Sequence, residues 1–262
     1  MADTSPPNPA TSMLWFVVLT SVYFPIKYYT RNATQKMIYG GIYILLLIVG
    51  EFFINLTLTD AMCGSNQWGT ALMVTLVPWV AIFGILNLLL LTLPGWLSPF
   101  SNTFGYAVAR ISGLSNLMND ILKPKIISKD LPKGSNLVPV QEALAHIYSD
   151  KSLLINEVTQ TNFDKFWDNM SAVFKPGVKD NSSLKQKLLD MVRLKDIVAE
   201  YVWYMLTGFL VTSVGYNYVV SSGCTQSVQE MQKRHDQYEK DEEAKLAADK
   251  DSGPKRVYST NE

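Results

Sequence analysis

The chain has 262 residues, with 23 Lys and Arg balanced by 23 Asp and Glu, so its net charge is zero at neutral pH. That balance leaves no electrostatic footprint for nucleic acid, and two cysteines are too few for a disulfide-dense module or a four-cysteine zinc site. Mean hydropathy is only +0.08, but residues 61–109 hold no Asp, Glu, Lys or Arg, far more than the ~20 apolar residues that cross a bilayer.

Residues 1–11 read as an extended arm. Its Pro-rich sequence, Met1-Ala-Asp-Thr-Ser-Pro-Pro-Asn-Pro-Ala10, lacks the basic n-region of a signal peptide. A first apolar segment runs from about Ser12 to Tyr29, where Pro25 and Lys27 cut it short. It either spans, with Lys27 snorkelling, or lies flat at the interface. A second runs from Met37 to about Leu58 and contains Glu51. A third runs from about Ala71 to Leu93. Next comes Pro94-Gly-Trp-Leu-Ser-Pro-Phe-Ser-Asn-Thr-Phe-Gly-Tyr106, whose prolines and glycines forbid a simple continued helix. Pro94, Gly95, Trp96, Pro99, Phe100, Asn102, Phe104, Gly105 and Tyr106 are read as a candidate interface turn. A surface helix resumes near Asn102, or the segment is a plain kink and loop.

From Tyr106 to Leu122, the spacing of Val108, Ile111, Leu114, Leu117 and Ile121 predicts an amphipathic helix. Lys129 to Pro139 reads as a loop, and Pro139 can start a helix from Val140 to about Ile155. A further helix is expected over Thr161–Phe174, stopped by Lys175-Pro-Gly177. Another, capped by Ser182 or Ser183, carries Leu184, Leu188, Leu189, Val192 and Leu194. It is expected to run on into a fourth span, Tyr201 to Val220, with aromatic residues at both ends. After Cys224 the charged sequence predicts a solvated helix, with Glu230–Arg234 and Asp241–Lys245 as i, i+4 pairs. The segment from Asp251 to Glu262 has no core-forming pattern.

Lys27, Arg31 and Lys36 lie between the first two spans, no Lys or Arg lies between the next two, and thirteen lie from Arg110 to Lys195. The positive-inside rule then puts the 27–36 loop and the 110–196 region on the cytosolic side. The tail, with seven basic and nine acidic residues, then falls on the other side, which counts against this orientation. Cys63 and Cys224 fall together on the opposite side, as a candidate disulfide or as two free thiols. Of the sequons at Asn32, Asn55, Asn169 and Asn181, three fall on the cytosolic side and one in the membrane, so none is expected to be glycosylated.

No catalytic constellation is found. The two histidines, His146 and His235, have no companion at metal-ligand spacing, and neither a nucleophile motif nor a phosphate loop occurs. No catalytic, cofactor-binding or metal-binding residue is assigned, no cofactor is expected, and the chain is not read as an enzyme. Glu51 is the one costly charge, since a carboxylate within a bilayer is unfavourable by about 2.5–3.5 kcal/mol on insertion scales. With Asn55 and Asn87 it forms a candidate intramembrane polar site. Alternatively the apolar segment ends near Gly50 and Glu51 sits at the interface.

The sequence thus predicts an all-α, multi-span helical membrane protein with about four transmembrane helices. A small helical extramembrane domain and a charged helical C-terminal tail complete it. The expected boundaries are 1–11 for the arm, 12–96 for a three-helix membrane region and 97–196 for the extramembrane domain. The fourth membrane helix covers 197–222 and the tail 223–262, helical and then disordered.

The Pro94–Tyr106 segment resembles a P-G-W-x-x-P-F-S-N-T-F-G-Y type motif of multi-span virion proteins in large icosahedral DNA viruses, especially the chlorovirus group. The resemblance implies a membrane-anchored minor capsid protein. It would join the shell to the internal, host-derived viral membrane beneath it. Its partners would be the lipid bilayer, the major and other minor capsid proteins, and further copies of itself. Two other readings stand beside this one: a small oligomeric ion channel or transporter using Glu51, and a membrane-bound assembly factor.

Overall fold

The pairing of side chains along the first two helices shows how the chain is laid out. A computed structural model describes residues 9–65, 67–124, 138–222, 224 and 228–251. Helix α1 (Ala10–Tyr29) and helix α2 (Ala33–Cys63) meet through Ser12 with Glu51 and through Thr20 with Tyr43. The numbers rise on one helix as they fall on the other, so the two are antiparallel. Helix α10 (Ser182–Ser221) runs antiparallel to α1 in the same way. Phe16 meets Gly208, Ser21 meets Tyr201, and Lys27 pairs with Glu200. These contacts cover the length of α1, so it takes the spanning alternative. Pro25 and Lys27 lie in its closing turns, and the helix ends at Tyr29.

The third span is helix α3 (Trp68–Leu76), a π-helical stretch Val77–Phe83 and helix α4 (Gly84–Thr92). Pro78, which has no N–H to donate, lies in the widened turn. Asn55 meets Thr75, and Phe83 meets Tyr204. The result is an antiparallel four-helix bundle. Four helices of the described chain are long and apolar enough to cross a membrane: Ala10–Tyr29, Ala33–Cys63, Trp68–Leu90 and Ser182–Ser221. The protein is an all-α, multi-span membrane protein, without strands among the described residues.

Apolar burial drives helices together only weakly when lipid is the alternative, so close packing has to do it. Here aromatic rings fill notches left by glycine. A Cβ on Gly208 would lie 2.0 Å from the Phe16 ring, and one on Gly50 2.3 Å from Trp15. Around these contacts lie Phe16, Phe24, Tyr43, Leu47, Trp79, Phe83 and Val211, all buried.

Caps fix the helix ends. Asn32 accepts from the amides of Thr34 and Gln35 at 2.8 and 3.3 Å, so α2 begins at Ala33 rather than Met37. It ends on Gly64, whose φ of 62° suits a left-handed cap. Asn181, not Ser182 or Ser183, caps α10: its Oδ1 accepts from the Leu184 amide at 3.1 Å.

Beyond α4 a 3-10 turn, Pro94–Leu97, leads directly into helix α5 (Ser98–Phe100). The helix therefore resumes at Ser98, four residues before the expected Asn102, because Pro99 suits a first turn. It continues through the π-helical Ser101–Gly105, helix α6 (Tyr106–Ala109), the π-helical Arg110–Leu114 and helix α7 (Ser115–Ile121). The expected single amphipathic stripe fails in its first half. Val108 is 36% and Ile111 87% exposed, and the buried residues there are Gly105 and Ala109. Gly113, at φ 106°, turns the face, and Leu114, Leu117 and Ile121 bury only after it.

Helix α8 (Val138–Ser149) begins before Pro139 and stops short of the expected Ile155. The carboxylate of Asp150 accepts from the Ser152 amide at 2.9 Å and starts a 3-10 turn, Lys151–Leu154. Hydrogen bonds from the Ser152 hydroxyl and amide hold that carboxyl below the usual carboxylate range. Helix α9 (Phe163–Asn169) is shorter than Thr161–Phe174 and ends in a 3-10 turn. Gly177 takes φ 80° at the stop. The extramembrane core gathers Met118, Ile121, Leu144, Ile155, Phe163, Trp167, Phe174, Leu188 and Val192, all buried. Trp167 donates to the Lys179 carbonyl at 3.1 Å. Each large apolar side chain buried here stabilises the domain by roughly 1.5–3 kcal/mol.

The expected break between 97–196 and the fourth span is not a domain boundary. The chain divides instead into one compact unit, Met1–Ser221, and a second, Ser222–Glu262, because α10 belongs to both cores of the first. In the second, helix α11 (Val228–Asp251) exposes Met231, Tyr238 and Leu246. Among the described residues its i, i+4 contacts are Gln232 with Asp236 and His235 with Glu239, rather than Asp241 with Lys245. Residues 129–137 of the expected loop, the first eight residues, the pair Glu230–Arg234 and residues 252–262 lie outside the described side chains.

Candidate functional site

Two polar clusters lie within the first unit, one inside the bundle and one at its edge. The inner one is built on Glu51. Its carboxylate is buried, 1% exposed, within the 31-residue α2 and level with the first turn of α1. The Ser12 hydroxyl of α1 donates to Glu51 Oε2 at 2.6 Å, while Oε1 is buried without a hydrogen-bond partner. One turn on, Asn55 Nδ2 donates to Thr75 Oγ1 at 3.0 Å, and Thr75 in turn donates to the Ala71 carbonyl at 2.8 Å. Val74, Trp79, Thr212 and Tyr216 close the site, leaving a cavity of about 20 Å³. That is room for a single water molecule.

Of the three residues proposed for this site, the structure brings Glu51 and Asn55 together and leaves Asn87 out. Asn87 Nδ2 donates to the Phe83 carbonyl of its own helix at 2.8 Å. It lies twelve residues past Thr75, about 18 Å along the helix axis at the usual rise. Ser12 and Thr75 were not singled out from the sequence, because small hydroxyl residues are common in apolar helices and carry no spacing signal.

The outer cluster lies where α1, α2, the Pro94–Tyr106 segment and α10 meet. At about 60 Å by its rise, the 40-residue α10 is twice the thickness of a hydrocarbon core. Its charged first half, through Glu200, therefore stands outside the membrane-spanning segment. Arg193 Nη2 donates to the Thr30 carbonyl at 2.6 Å, and Arg31 pairs with Asp190 at 2.9 Å. Lys27 pairs with Glu200. The two basic segments expected to share one side of the membrane are thus in contact.

Lys195 is 1% exposed, and its ammonium donates to the carbonyls of Ile155 and Asn156 at 2.7 and 3.0 Å. Burial pushes it below the usual lysine range, with Asp196 and Glu157 acting against that. Burial likewise raises the Asp196 carboxyl, opposed by Lys195 and by hydrogen bonds from Ser101 and Gln160.

The candidate interface turn packs on this cluster. Trp203 meets the rings of Trp96 and Phe100 at 6.0 and 5.9 Å. Ser101 Oγ donates to Asp196 at 3.3 Å. Gly105 lies on the α10 backbone, where a Cβ would come 2.3 Å from the Lys195 carbonyl oxygen. Tyr106 packs on the extramembrane core. Asn102 Oδ1 is buried without a partner, and Phe104 is exposed. The turn is therefore a helical bracket that clamps α10, not a loop. Arg193, Lys195, Asp196 and Glu200 were missed from the sequence, although four charges just before an apolar run were a legible signal.

Cys63 and Cys224 are both disulfide-bonded, and no described cysteine is free. Within the first unit, α2 and α10 run parallel, so their C-terminal ends at Cys63 and Ser221 lie at the same end of the bundle. Intact mass after maleimide treatment should show no adduct before reduction and two after it. An adduct on the unreduced protein would exclude the bridge. Compared with family models, with curated proteins and with solved structures, the chain matches none.

Proposed function

We propose that this chain is a structural membrane protein that fixes an extramembrane helical domain rigidly to a bilayer and is not an enzyme. The observation that supports it most is the continuity of α10. One uninterrupted helix contributes Leu188 and Val192 to the extramembrane core and Val211 to the membrane core. A lateral load on the domain passes straight into the bundle, and the bracket from Pro94 to Tyr106 braces the junction.

In its finer form the reading is a minor capsid protein. It would sit in the inner membrane of a large icosahedral virion, with the 110–196 domain toward the shell. The Pro94–Tyr106 motif is the support for that form. Mass spectrometry of purified particles before and after detergent stripping, with cross-linking, tests it. The chain should be present in stoichiometric amounts, stay with the shell, and cross-link to capsid proteins through its 110–196 domain. Absence from particles would overturn the finer form.

A transport reading draws on one observation, the buried and half-partnered carboxylate of Glu51. Flux through liposomes by the natural protein and by Glu51→Gln discriminates the two.

A further inference from the structure

The edge cluster encloses a cavity of about 320 Å³. Four cations line it, Lys27, Lys36, Arg193 and Lys195, against two carboxylates, Asp196 and Glu200. Ser98, Thr159 and Thr161 also line it, and the two threonine hydroxyls share one hydrogen bond at 2.8 Å, which leaves one hydroxyl proton to give. Two of the cations are committed elsewhere: Lys27 pairs with Glu200, and Lys195 is spent on two carbonyls. Asp196 accepts from Ser101. Two donors are left over. Among the described residues Lys36 has no ion-pair partner. Arg193 is 4% exposed, and its Nε is buried without a hydrogen-bond partner, although Nη2 bonds Thr30.

A buried, charged N–H without an acceptor is costly, and the charges of Arg193 and Lys27 act on the Lys36 ammonium more strongly than the opposing Glu200. Both lack an anion with several acceptor oxygens. The cavity's place supplies the source. Leu97 and Ile197 line it beside the charged residues, and Trp96, the neighbour of Leu97 in sequence, meets Trp203 edge to face; tryptophans favour the headgroup level. Basic pockets between membrane helices on this side of a bilayer suit anionic headgroups.

We propose that this cavity binds the phosphate of an anionic phospholipid, held by the Lys36 ammonium and the Arg193 Nε and steadied by the one hydroxyl proton that the Thr159–Thr161 pair has to give. The proposal requires only that the bundle be in a bilayer and is independent of any capsid role.

The test uses the full chain in nanodiscs of phosphatidylcholine alone or with added phosphatidic acid, read by thermal unfolding and by a lipid titration. Phosphatidic acid should raise the melting temperature of the natural protein. K36Q should weaken the apparent affinity by about fivefold, the size expected for one lysine near an anionic surface, and K36R should restore it. Unchanged melting of K36Q in phosphatidylcholine alone separates lost binding from lost folding. K187Q, at an exposed lysine of α10 outside the cavity, should titrate like the natural protein.

Equal losses in K36Q and K187Q would mean diffuse surface attraction and would overturn the site. So would a titration that K36Q leaves unchanged, or no response to phosphatidic acid. If millimolar inorganic phosphate in phosphatidylcholine discs reproduces the whole shift, the pocket takes free phosphate and the lipid assignment falls.

Discussion

Replacing Gly105 by alanine is expected to destabilise the protein by about 1–3 kcal/mol, the usual cost of overpacking, and valine should cost more. The new methyl group would lie 2.3 Å from the Lys195 carbonyl oxygen and 2.9 Å from its Cγ. The first of these is backbone inside a 40-residue helix, so it cannot swing aside as a side chain would. Separating the bracket from α10 would also pull Ser101 from Asp196 and part the edge-to-face rings of Trp96 and Phe100 from Trp203.

Gly84 is the matched control. It has the same φ of −61° and ψ of −47° as Gly105, but nothing lies within 4 Å of its added Cβ. Alanine there should be neutral or stabilising by roughly 0.5–1 kcal/mol, because a helical glycine loses more entropy on folding. Thermal unfolding of the two variants in detergent is the measurement. Equal melting temperatures would mean that the bracket does not clamp α10.

The second large effect is expected at Ser12. Among the described residues its hydroxyl is the one donor to Glu51, and Oε1 already lacks a partner. Ser12→Ala therefore leaves a buried carboxyl with neither oxygen bonded, at a cost of about 1–3 kcal/mol. Glu51→Gln keeps an acceptor for Ser12 and removes the charge that costs about 2.5–3.5 kcal/mol to insert. It should insert as well as the natural protein and melt no lower. In the Glu51→Leu background Ser12→Ala should cost much less, since the acceptor is gone, and this double-mutant cycle isolates the pair.

The same Glu51→Gln variant separates the functional readings. A structural anchor keeps its insertion and assembly. If the natural protein carries protons or cations across liposomes and Glu51→Gln stops the flux while folding normally, the transport reading replaces the anchor.

The membrane spans were legible in the sequence because their signal is one of composition. A charge-free run from 61 to 109 has only one comfortable solvent, and no tertiary detail changes that. The extension of the helix that starts near Ser182 into the fourth span was legible for a similar reason, since no proline or glycine interrupts Ser182–Glu200. Helix caps were less so. Asn32 and Asn181 stood out as sequons, and their actual work of capping α2 and α10 depends on where each chain enters its helix.

The sequence by itself determined the solvent of each segment, the helical class of the fold, and which basic segments share a side. Only the tertiary structure decided how the helices pair, because glycine notches such as Gly50, Gly105 and Gly208 read in a sequence like any other glycine. The ring or carbonyl that fills each one comes from a distant part of the chain. It also decided that Glu51 joins Ser12 and Thr75's partner Asn55 rather than Asn87. Periodicity gives the face of a helix, whereas the depth at which two helices meet is set by packing.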